Sequence, residues 1–269
     1  MQNKVIIITG ASSGIGLACA REFAKRGAKL TLAARSADKL DEIKSELQSK
    51  GSDVITVKTD VSIEEDCKNM VDETIKHFGK IDILFNNAGI SMRATFKDVD
   101  LKVIKQIMDV NFWGTVYSTK YALPYILEQK GSVVGVSSIA GYVGLPGRTG
   151  YSSSKFAIHG FLEALRVENL KAGLHVLIAA PGFTASNVRK VALTANGSSQ
   201  GNTPRKEDKM MKAEDVAVHM ANAIIKRKST LVLTFLEGKF TVFLKKFAPA
   251  LLRKLTFYHM AKEPNSPFK

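Results

Sequence analysis

The sequence predicts an α/β protein with one Rossmann-type, doubly wound domain, in which helices flank a seven-stranded parallel sheet. Short apolar runs alternate with longer amphipathic segments over the first 234 residues, as they do where β-α-β units build such a sheet. The short runs are β-branched and almost continuously apolar, as expected of strands that helices cover on both faces. The chain of 269 residues is 45% hydrophobic, which is enough for one domain with a sizeable core.

Seven short runs are predicted as strands, and six longer segments are predicted as helices. The strands are Val5–Ile8, Leu30–Ala34, Val54–Val57, Ile83–Phe85, Val133–Val136, Val176–Ala180 and Leu231–Leu233. The helices, which have apolar residues at helical spacing, are Ile15–Lys25, Lys39–Ser49, Glu64–His77, Leu101–Leu127, Ser152–Leu170 and Glu214–Lys226. A glycine follows most of these helices, and Gly131 is one of those predicted to take the left-handed conformation that closes a helix.

Two stretches interrupt this alternation. Residues 184–212 include a polar run from Asn196 to Asn202 and no strand pattern, so we predict a substrate loop or lid there. After residue 234 the chain continues as a tail rich in Phe and Lys. The predicted organisation is therefore one domain over residues 1–234 and a C-terminal tail over residues 235–269.

The composition argues against several classes of protein and of functional site. Two cysteines, Cys19 and Cys67, cannot build a disulfide framework, and no Cys/His spacing predicts a metal site. Met1–Lys4 leads directly into a run only as long as a strand, so we expect no secretion signal and a reducing cytoplasm. The net charge is +14, but nine basic residues face only two acidic ones between Lys226 and Glu263. Because the excess is concentrated in the tail, we expect no nucleic-acid partner.

A glycine-rich turn joins the first strand to the first helix. It runs Thr9-Gly10-Ala11-Ser12-Ser13-Gly14-Ile15-Gly16, which is the spacing G-x-x-x-G-x-G. Glycines let the backbone approach a ligand closely, and the free N–H groups at a helix N-terminus attract an anion. Such turns also occur where packing alone is tight, but the position at the first βα turn favours a dinucleotide site. The predicted contacts are Gly10, Ser12, Ser13, Gly14, Ile15 and Gly16.

The end of the second strand distinguishes the two nicotinamide dinucleotides. An NAD site places a carboxylate there for the ribose 2′-OH, whereas the 2′-phosphate of NADP requires a cation. The strand ends in Ala34, followed by Arg35 and Ser36, which offer a guanidinium group and a hydroxyl to a phosphate. The alternative is an Arg35 that is only a solvated residue before the next helix. We therefore expect NADP(H) as the cofactor, bound in part by Arg35 and Ser36.

Tyr151 and Lys155 are the predicted acid–base pair. At positions i and i+4 of a helix they share one face, and a nearby ammonium group is expected to lower the pKa of the Tyr151 phenol. Such a phenol can exchange a proton with a carbonyl or alcohol oxygen. Ser138 ends a buried strand, at the edge of the sheet where ligands bind in α/β folds. Tyr258 and Lys262 have the same spacing, but no serine of this kind precedes them.

With these motifs in place, the chain resembles the short-chain dehydrogenase/reductase family over residues 4–234. The matching motifs come in the order of that family: Thr9–Gly16, Asp60-Val61, Asn86-Asn87-Ala88-Gly89, Asn111, Ser138, Tyr151 with Lys155, and Pro181-Gly182-Phe183-Thr184. The resemblance implies that residues 1–234 form a dinucleotide-binding catalytic domain that acts on CH–OH groups. It also implies a homodimer or a homotetramer.

The resemblance further assigns roles to individual positions. It implies that Asp60 and Val61 hold the adenine and that Asn87, with Ala88 and Gly89, lies along the cofactor. It implies that Lys155 also bonds the nicotinamide ribose and that Thr184 contacts the carboxamide, with Tyr151, Pro181 and Gly182 as further cofactor-binding residues. Asn111 would hold a water molecule that links Lys155 to solvent. Simpler interpretations remain open: Asn111 as a helix cap, Pro181-Gly182 as a plain turn, and Asn86 as a brace of the sheet, which we prefer for Asn86.

Within the family, the ending Ala33-Ala34-Arg35-Ser36 and the long tail are most similar to the 11β-hydroxysteroid dehydrogenase and dehydrogenase/reductase member 7 branch. The branch implies a lipophilic carbonyl or alcohol substrate, such as a steroid or a lipid. The alternatives are an enzyme like 3-oxoacyl-carrier-protein reductase and a non-catalytic dinucleotide-binding scaffold. Tyr151, Lys155, Ser138 and Asn111 are all present, which argues against the scaffold.

The tail contains two apolar stripes at helical spacing. The first consists of Phe240, Phe243, Leu244 and Phe247, with Lys239, Lys245 and Lys246 on the opposite side. Pro249 then interrupts the helix and can begin a new one, whose apolar stripe is Leu251, Leu252 and Leu255. No apolar run approaches the ~20 residues that span a bilayer. We expect peripheral association with an anionic membrane surface, or else packing of the tail on a partner subunit or over the substrate pocket.

Overall fold

The computed structural model describes residues 1–184, 188–201, 203, 210–263, 266 and 268. The seven predicted strands are present, each within a residue or two of its predicted ends. They are β1 (Val5–Thr9), β2 (Lys29–Ala34), β3 (Val54–Lys58), β4 (Ile83–Asn86), β5 (Ser132–Val136), β6 (His175–Ala180) and β7 (Thr230–Val232). All pair in parallel in the order β3-β2-β1-β4-β5-β6-β7, which confirms the doubly wound fold.

Nine α-helices lie within the described residues. They are α1 (Gly14–Lys25), α2 (Ala37–Gln48), α3 (Glu64–Phe78), α4 (Leu101–Met108), α5 (Gly114–Glu128), α6 (Thr149–Glu168), α7 (Ala213–Ile225), α8 (Thr241–Phe247) and α9 (Pro249–Ala261). Alternate residues of β1 show why the sheet needs helices on both sides. Ile6 and Ile8 pack into one buried cluster, while Ile7 packs into the cluster on the other face.

The single helix predicted over Leu101–Leu127 was wrong in one respect. A π-helical turn, Asp109–Trp113, separates α4 from α5. The turn contains Asn111, which is fully buried and bonded to the Ile90 backbone and to Ser154. These contacts are made with residues far away in the sequence, so the spacing of apolar residues could not reveal the insertion.

The turn before β5 also differs from its prediction. Lys130, not Gly131, takes the left-handed conformation, with φ of +47°. Gly131 is needed for space, since a Cβ there would overlap the Asp82 carbonyl oxygen. Gly131 is therefore required because the backbone of Asp82 lies close to it, and Lys130 is the residue that closes the helix.

The predicted substrate loop over residues 184–212 is only partly described. Residues 185–187, 202 and 204–209 lie outside the described residues. In the described part, Leu193 bridges Met92 and Ser199, and Thr184 bridges Met211. These contacts attach the ends of the segment to the loop after β4 and to the end of β6.

The tail forms two helices that break where the sequence predicted. Ala248 ends α8, and Pro249 is the first residue of α9. The predicted second stripe is divided, however: Leu252 is buried, whereas Leu251 and Leu255 are exposed. None of the described helices is both long enough and apolar enough to cross a membrane.

Candidate active site

Most of the predicted site residues lie at the edge of the sheet formed by the carboxyl ends of β1, β4, β5 and β6. β1 lies between β2 and β4, so the winding of the chain reverses between β1 and β4. Helices leave the sheet on opposite faces at such a point and open a crevice in which α/β proteins bind their ligands.

The glycine-rich turn is a cradle of bare backbone. Gly10 and Gly14 have φ of +65° and +55°, where a side chain would be strained. A Cβ on Gly16 would overlap the Gly10 carbonyl oxygen, and one on Gly10 would lie 2.8 Å from Ala88 Cα. Ser12 and Ser13 precede α1, and the first N–H groups of α1, at Gly14, Ile15 and Gly16, have no carbonyl within the helix to bond. Small residues and open N–H groups at this place fit the pyrophosphate of a dinucleotide.

Thr9 and Asn87 connect this cradle to β4. The Thr9 hydroxyl oxygen accepts from the backbone N–H groups of Asn87 (3.0 Å) and Ala88 (3.1 Å). The Asn87 side-chain amide donates to the carbonyl oxygens of Thr9 (3.0 Å) and Gly10 (3.2 Å). Thr9 was not among the predicted site residues, although its position before the first glycine could have indicated it. Asn86 is buried and donates to the Thr119 hydroxyl, as expected for a brace of the sheet.

Tyr151 lies in the first turn of α6, and the hydroxyl of Ser138, which follows β5, is near enough to act on the pKa of its phenol. The Ser138 hydroxyl also accepts from the Ala140 N–H group at 3.2 Å, which fixes its orientation. The predicted lowering of the Tyr151 pKa was wrong for this arrangement. Burial raises the Tyr151 pKa because it disfavours the phenolate, and the Ser138 hydroxyl and the charges of Arg148 and Arg189 only partly offset that effect. The phenol therefore keeps its proton at neutral pH.

Lys155 follows one turn later, and its side chain is almost completely buried. Its ammonium group donates to the Val136 carbonyl oxygen at 2.9 Å and lies 5.7 Å from the centre of the Tyr151 ring. Burial lowers the Lys155 pKa to about 8, because the apolar surroundings disfavour the charged form. This amine can thus gain or lose a proton close to neutral pH.

Asn111 is the centre of a hydrogen-bond network beside Lys155. Its amide oxygen accepts from the Ile90 N–H group at 2.8 Å, and its amide nitrogen donates to the Ile90 carbonyl and the Ser154 hydroxyl. A Cβ on Gly89 would lie 3.1 Å from that amide oxygen and 3.5 Å from the Lys155 ammonium nitrogen. The absence of a side chain at Gly89 therefore leaves a gap next to both groups.

The predicted adenosine-binding residues follow β2 and β3. Arg35 and Ser36 are exposed, and Ser36 precedes α2 without bonding its side chain to the helix end. Asp60 accepts from the N–H and hydroxyl groups of Ser62, and Val61 is buried. A guanidinium group and a free hydroxyl at this strand end fit a phosphate on the adenosine ribose.

The last group of predicted cofactor-binding residues follows β6. Pro181 and Thr184 are buried, and the Thr184 hydroxyl donates to the Gly182 carbonyl oxygen at 3.1 Å. A Cβ on Gly182 would lie 2.6 Å from the Thr234 hydroxyl oxygen, so the turn packs closely on the residue that follows β7. Thr184 in turn accepts from Arg189 through its carbonyl oxygen.

Tyr258, the second tyrosine with this spacing, is 63% exposed on α9. His159, one turn beyond Lys155, packs against the Tyr142 ring and lies 2.7 Å from the Ser137 hydroxyl oxygen. Burial, followed by the charge of Lys155, lowers the His159 pKa to about 4, so the ring is neutral at pH 7. These contacts make His159 a packing residue.

Three charged residues beside the site were not predicted. Arg148 immediately precedes α6, Arg93 lies in the loop after β4, and Glu263 follows α9. Glu263 accepts from Arg148 at 3.2 Å and lies 3.6 Å from Arg93. The only sequence feature that sets Glu263 apart is that it is one of two acidic residues in a strongly basic tail.

Comparison with known proteins gives a family match over most of the chain. A family model described as short chain dehydrogenase matches residues 4–196. The 11-beta-hydroxysteroid dehydrogenase-like 2 of Arabidopsis thaliana is 46% identical over 187 residues, which are 69% of this chain and 60% of that protein. The dehydrogenase/reductase SDR family member 7B of Mus musculus is 34% identical over 271 residues, 99% of this chain and 84% of that protein. The chain thus spans less than two thirds of the plant relative.

A solved structure has the same fold over nearly its whole length. It is an alcohol dehydrogenase from the archaeon Thermococcus sibiricus, complexed with 5-hydroxy-NADP. The two chains superpose with a TM-score of 0.75 at 26% identity, over 86% of this chain and 94% of that one.

Proposed function

The chain belongs to the short-chain dehydrogenase family, and from that premise we propose that it is an NADP-dependent oxidoreductase that transfers hydride to or from a carbonyl or secondary alcohol. One observation supports this above all. Tyr151 and Ser138 come together at the ligand-binding edge of the sheet, and the ammonium group of the buried Lys155 lies 5.7 Å from the centre of the Tyr151 ring.

In this proposal the residues of the chain move and hold protons. When bound, NADP(H) supplies or accepts the hydride. Tyr151 donates its phenolic proton to the carbonyl oxygen as that oxygen gains negative charge, and Ser138 holds both the phenol and the substrate oxygen. Because burial raises the Tyr151 pKa, the phenol is protonated at neutral pH, which is the state that can donate to a carbonyl oxygen.

Lys155 and Asn111 restore the proton in this proposal. The Lys155 pKa of about 8 lets its ammonium group replace the Tyr151 proton at little energetic expense. The gap beside Gly89, next to Asn111 and Lys155, is where we place the water molecule that links Lys155 to solvent. Asn111 also fixes the Ile90 backbone, so it is both a water ligand and a positioning residue in the proposal.

The cofactor is proposed to be NADP(H). Its pyrophosphate fits the backbone cradle of Gly10, Gly14 and Gly16, and its 2′-phosphate fits Arg35 and Ser36. The NADP analogue in the similar alcohol dehydrogenase supports the same choice. Asp60 and Val61 are the proposed adenine contacts, Asn87 to Gly89 lie along the cofactor, and Thr184 is the proposed carboxamide contact, with Pro181 and Gly182 as further cofactor contacts.

The substrate is proposed to be lipophilic and to be reached from a membrane surface. Phe243 and Phe247 are 55% and 64% exposed and lie together on α8, with their ring centres 4.7 Å apart. Lys245 and Lys246 are exposed between them. An aromatic surface with adjacent basic residues fits an anionic leaflet, as on the cytoplasmic face of a membrane, where each nearby Lys or Arg contributes about 1 kcal/mol. We therefore propose peripheral attachment through the tail.

We also propose that the enzyme is a homodimer or a homotetramer. Trp113 and Phe156, on the π-helical turn and on α6, are 43% and 42% exposed, and the Trp113 ring stacks on Tyr117. Large aromatic side chains exposed in this way are typical of subunit contacts.

Tyr151→Phe and Tyr258→Phe test the proposed chemistry as a matched pair. We expect Tyr151→Phe to lower kcat for NADPH-dependent ketone reduction by at least a thousandfold while NADPH still binds, because only the proton donor is removed. Tyr258→Phe, which removes an exposed hydroxyl from α9, should leave kcat unchanged. NADPH absorbance would measure turnover over a panel of lipophilic ketones, and NADPH fluorescence would measure binding. Equal losses in the two variants would refute the assignment of the site.

A further inference from the structure

A cationic cleft lies beside the proposed active site. Its described lining consists of Ser91, Met92, Arg93, Arg148, Arg189, Ala192 and Gln200. Three of these seven residues are arginines, which remain charged at any physiological pH and present a planar fork of donors to carboxylates and phosphates. The lining therefore has the chemistry of an anion receptor.

A carboxylate of the chain itself pairs with two of these arginines. Glu263 accepts from the Arg148 guanidinium group at 3.2 Å and lies 3.6 Å from that of Arg93. The side chains of Arg93, Arg148 and Glu263 are only 10%, 13% and 5% exposed. Two converging, poorly hydrated guanidinium groups bind a carboxylate much more strongly than exposed ones do.

The helix that precedes Glu263 has a buried side and an exposed side. Glu263 follows the end of α9, where Met260 is buried with its sulfur 3.9 Å from an Arg148 guanidinium nitrogen. The outer side of α9 is exposed at Leu251, Leu255 and Tyr258. Glu263 lies outside the seven strands, so a movement of its carboxylate would not break the pairing of the sheet.

The cleft is adjacent to the reacting groups. Arg148 stands three residues before Tyr151, and Met92 packs in the same buried cluster as Tyr151. The charges of Arg148 and Arg189 both act on the Tyr151 pKa, so these guanidinium groups lie within electrostatic range of the phenol. The arginines are therefore placed to bind the anionic end of a substrate whose carbonyl group reaches Tyr151.

We propose that Arg93 and Arg148 form a substrate subsite for an anionic oxygen group, which displaces Glu263 when an amphiphilic carbonyl compound binds. The proposal rests on the proposed function, since it assigns one end of that carbonyl substrate. The anionic group is a carboxylate or a phosphate, because both match the paired guanidinium groups. Glu263 occupies the subsite in the absence of substrate and keeps the two buried arginines paired.

Three ketones of equal chain length test the subsite: an oxo acid, its methyl ester and the corresponding oxoalkyl phosphate. We expect the wild type to prefer the acid or the phosphate to the ester by at least tenfold in kcat/KM, and the better of the two identifies the anion. Arg148→Gln and Arg93→Gln should each lower that preference at least fivefold. Glu263→Gln should raise it at least threefold, because the competing carboxylate is gone. Lys171→Gln, a change of an exposed lysine before β6, is the matched control and should leave the preference unchanged.

A binding measurement separates this proposal from the proposed function. Laurate and lauryl phosphate should raise the Tm of the protein with NADP⁺ present, and Arg148→Gln should abolish the rise. If no ketone is reduced but this Arg148-dependent binding is observed, the subsite stands and the proposed function is wrong. If the wild type reduces acid, phosphate and ester equally, the subsite is wrong and the proposed function stands. The subsite is also wrong if Glu263→Gln lowers kcat/KM for all three ketones alike, since the ion pair would then only hold the tail in place.

Discussion

Replacing Lys155 by Met should stabilise the protein while it inactivates the enzyme. Burial lowers the Lys155 pKa from 10.5 to about 8, so folding is penalised by the cost of burying the ammonium group. A pKa difference of about 2.5 corresponds to about 3 kcal/mol of unfolding free energy at about pH 7. Methionine has a similar length and no charge, but it loses the hydrogen bond to Val136, which is worth about 1 kcal/mol. The net expected gain at pH 7 is therefore about 2 kcal/mol.

The sign of this effect changes with pH in a defined window. Below the folded-state pKa of about 8, both the folded and the unfolded protein hold the Lys155 proton, and the penalty is complete. Between about pH 8 and the unfolded value of 10.5, the unfolded chain binds more protons, so the stability of the wild type rises with pH relative to the variant. Near pH 10.5 the penalty has vanished, and Lys155→Met should be about 1 kcal/mol less stable than the wild type because of the missing bond.

Urea unfolding followed by circular dichroism would measure this at about pH 7 and about pH 10, for the wild type and the variant. Taking the difference between the two proteins cancels the titration of every other group. Lys171→Met, at an exposed position, is the matched control and should show no pH-dependent difference. A Lys155→Met protein that is no more stable than the wild type at pH 7, or whose advantage does not fall with pH, would show that the buried amine is not the strained group we infer.

Arg35→Asp should shift the kcat/KM preference from NADPH toward NADH by at least a hundredfold, because a carboxylate repels the 2′-phosphate; a wild type that already prefers NADH tenfold would contradict the argument. Gly16→Ala should weaken NADPH binding at least tenfold, measured by fluorescence, because its Cβ would overlap the Gly10 carbonyl oxygen, whereas Gly160→Ala, where a Cβ meets no atom within 4 Å, should bind normally. Phe243→Ser with Phe247→Ser should abolish sedimentation with anionic vesicles, which salt should also weaken. Leu170→Ser, at a residue 72% exposed outside the tail, is the control for that experiment, and binding that survives the double substitution would exclude the tail as the attachment point.

The strands and helices could be predicted because their patterns are local. In β1 four successive isoleucine or valine residues must be covered on both sides, whatever the rest of the chain does. The π-helical turn at Asn111 could not be predicted, since it depends on hydrogen bonds to Ile90 and Ser154, which lie 21 and 43 residues away. The same limit applies to the turn before β5, because the Asp82 carbonyl oxygen that excludes a side chain at position 131 is distant in the sequence, and it is Lys130 that takes the left-handed conformation.

The candidate site also combines features that local sequence patterns predict with features that depend on distant residues. The spacing of Tyr151 and Lys155 predicts that the two side chains share a face of α6, and they do. The direction of the Tyr151 pKa was wrong because it depends on how deeply the phenol is buried, and burial follows from the packing of distant segments. The prediction rested on the charge of a nearby ammonium group, but desolvation, which has the opposite sign, is the larger effect here.

The sequence of α9 does not show which of its apolar residues face the domain and which face outward. Leu251, Leu252 and Leu255 look like one apolar stripe, yet Leu252 turns inward with Met260 while Leu251 and Leu255 face outward. On the inward side, Glu263 follows α9 and pairs with Arg148 and Arg93. On the outward side, apolar residues are exposed, as they are on α8. A helix with apolar residues on two sides can contact the domain and a membrane at once. If the tail lies on a membrane as proposed, an amphiphilic substrate in that membrane would be on the outward side of α9, and the arginines that pair with Glu263 would be on its inward side.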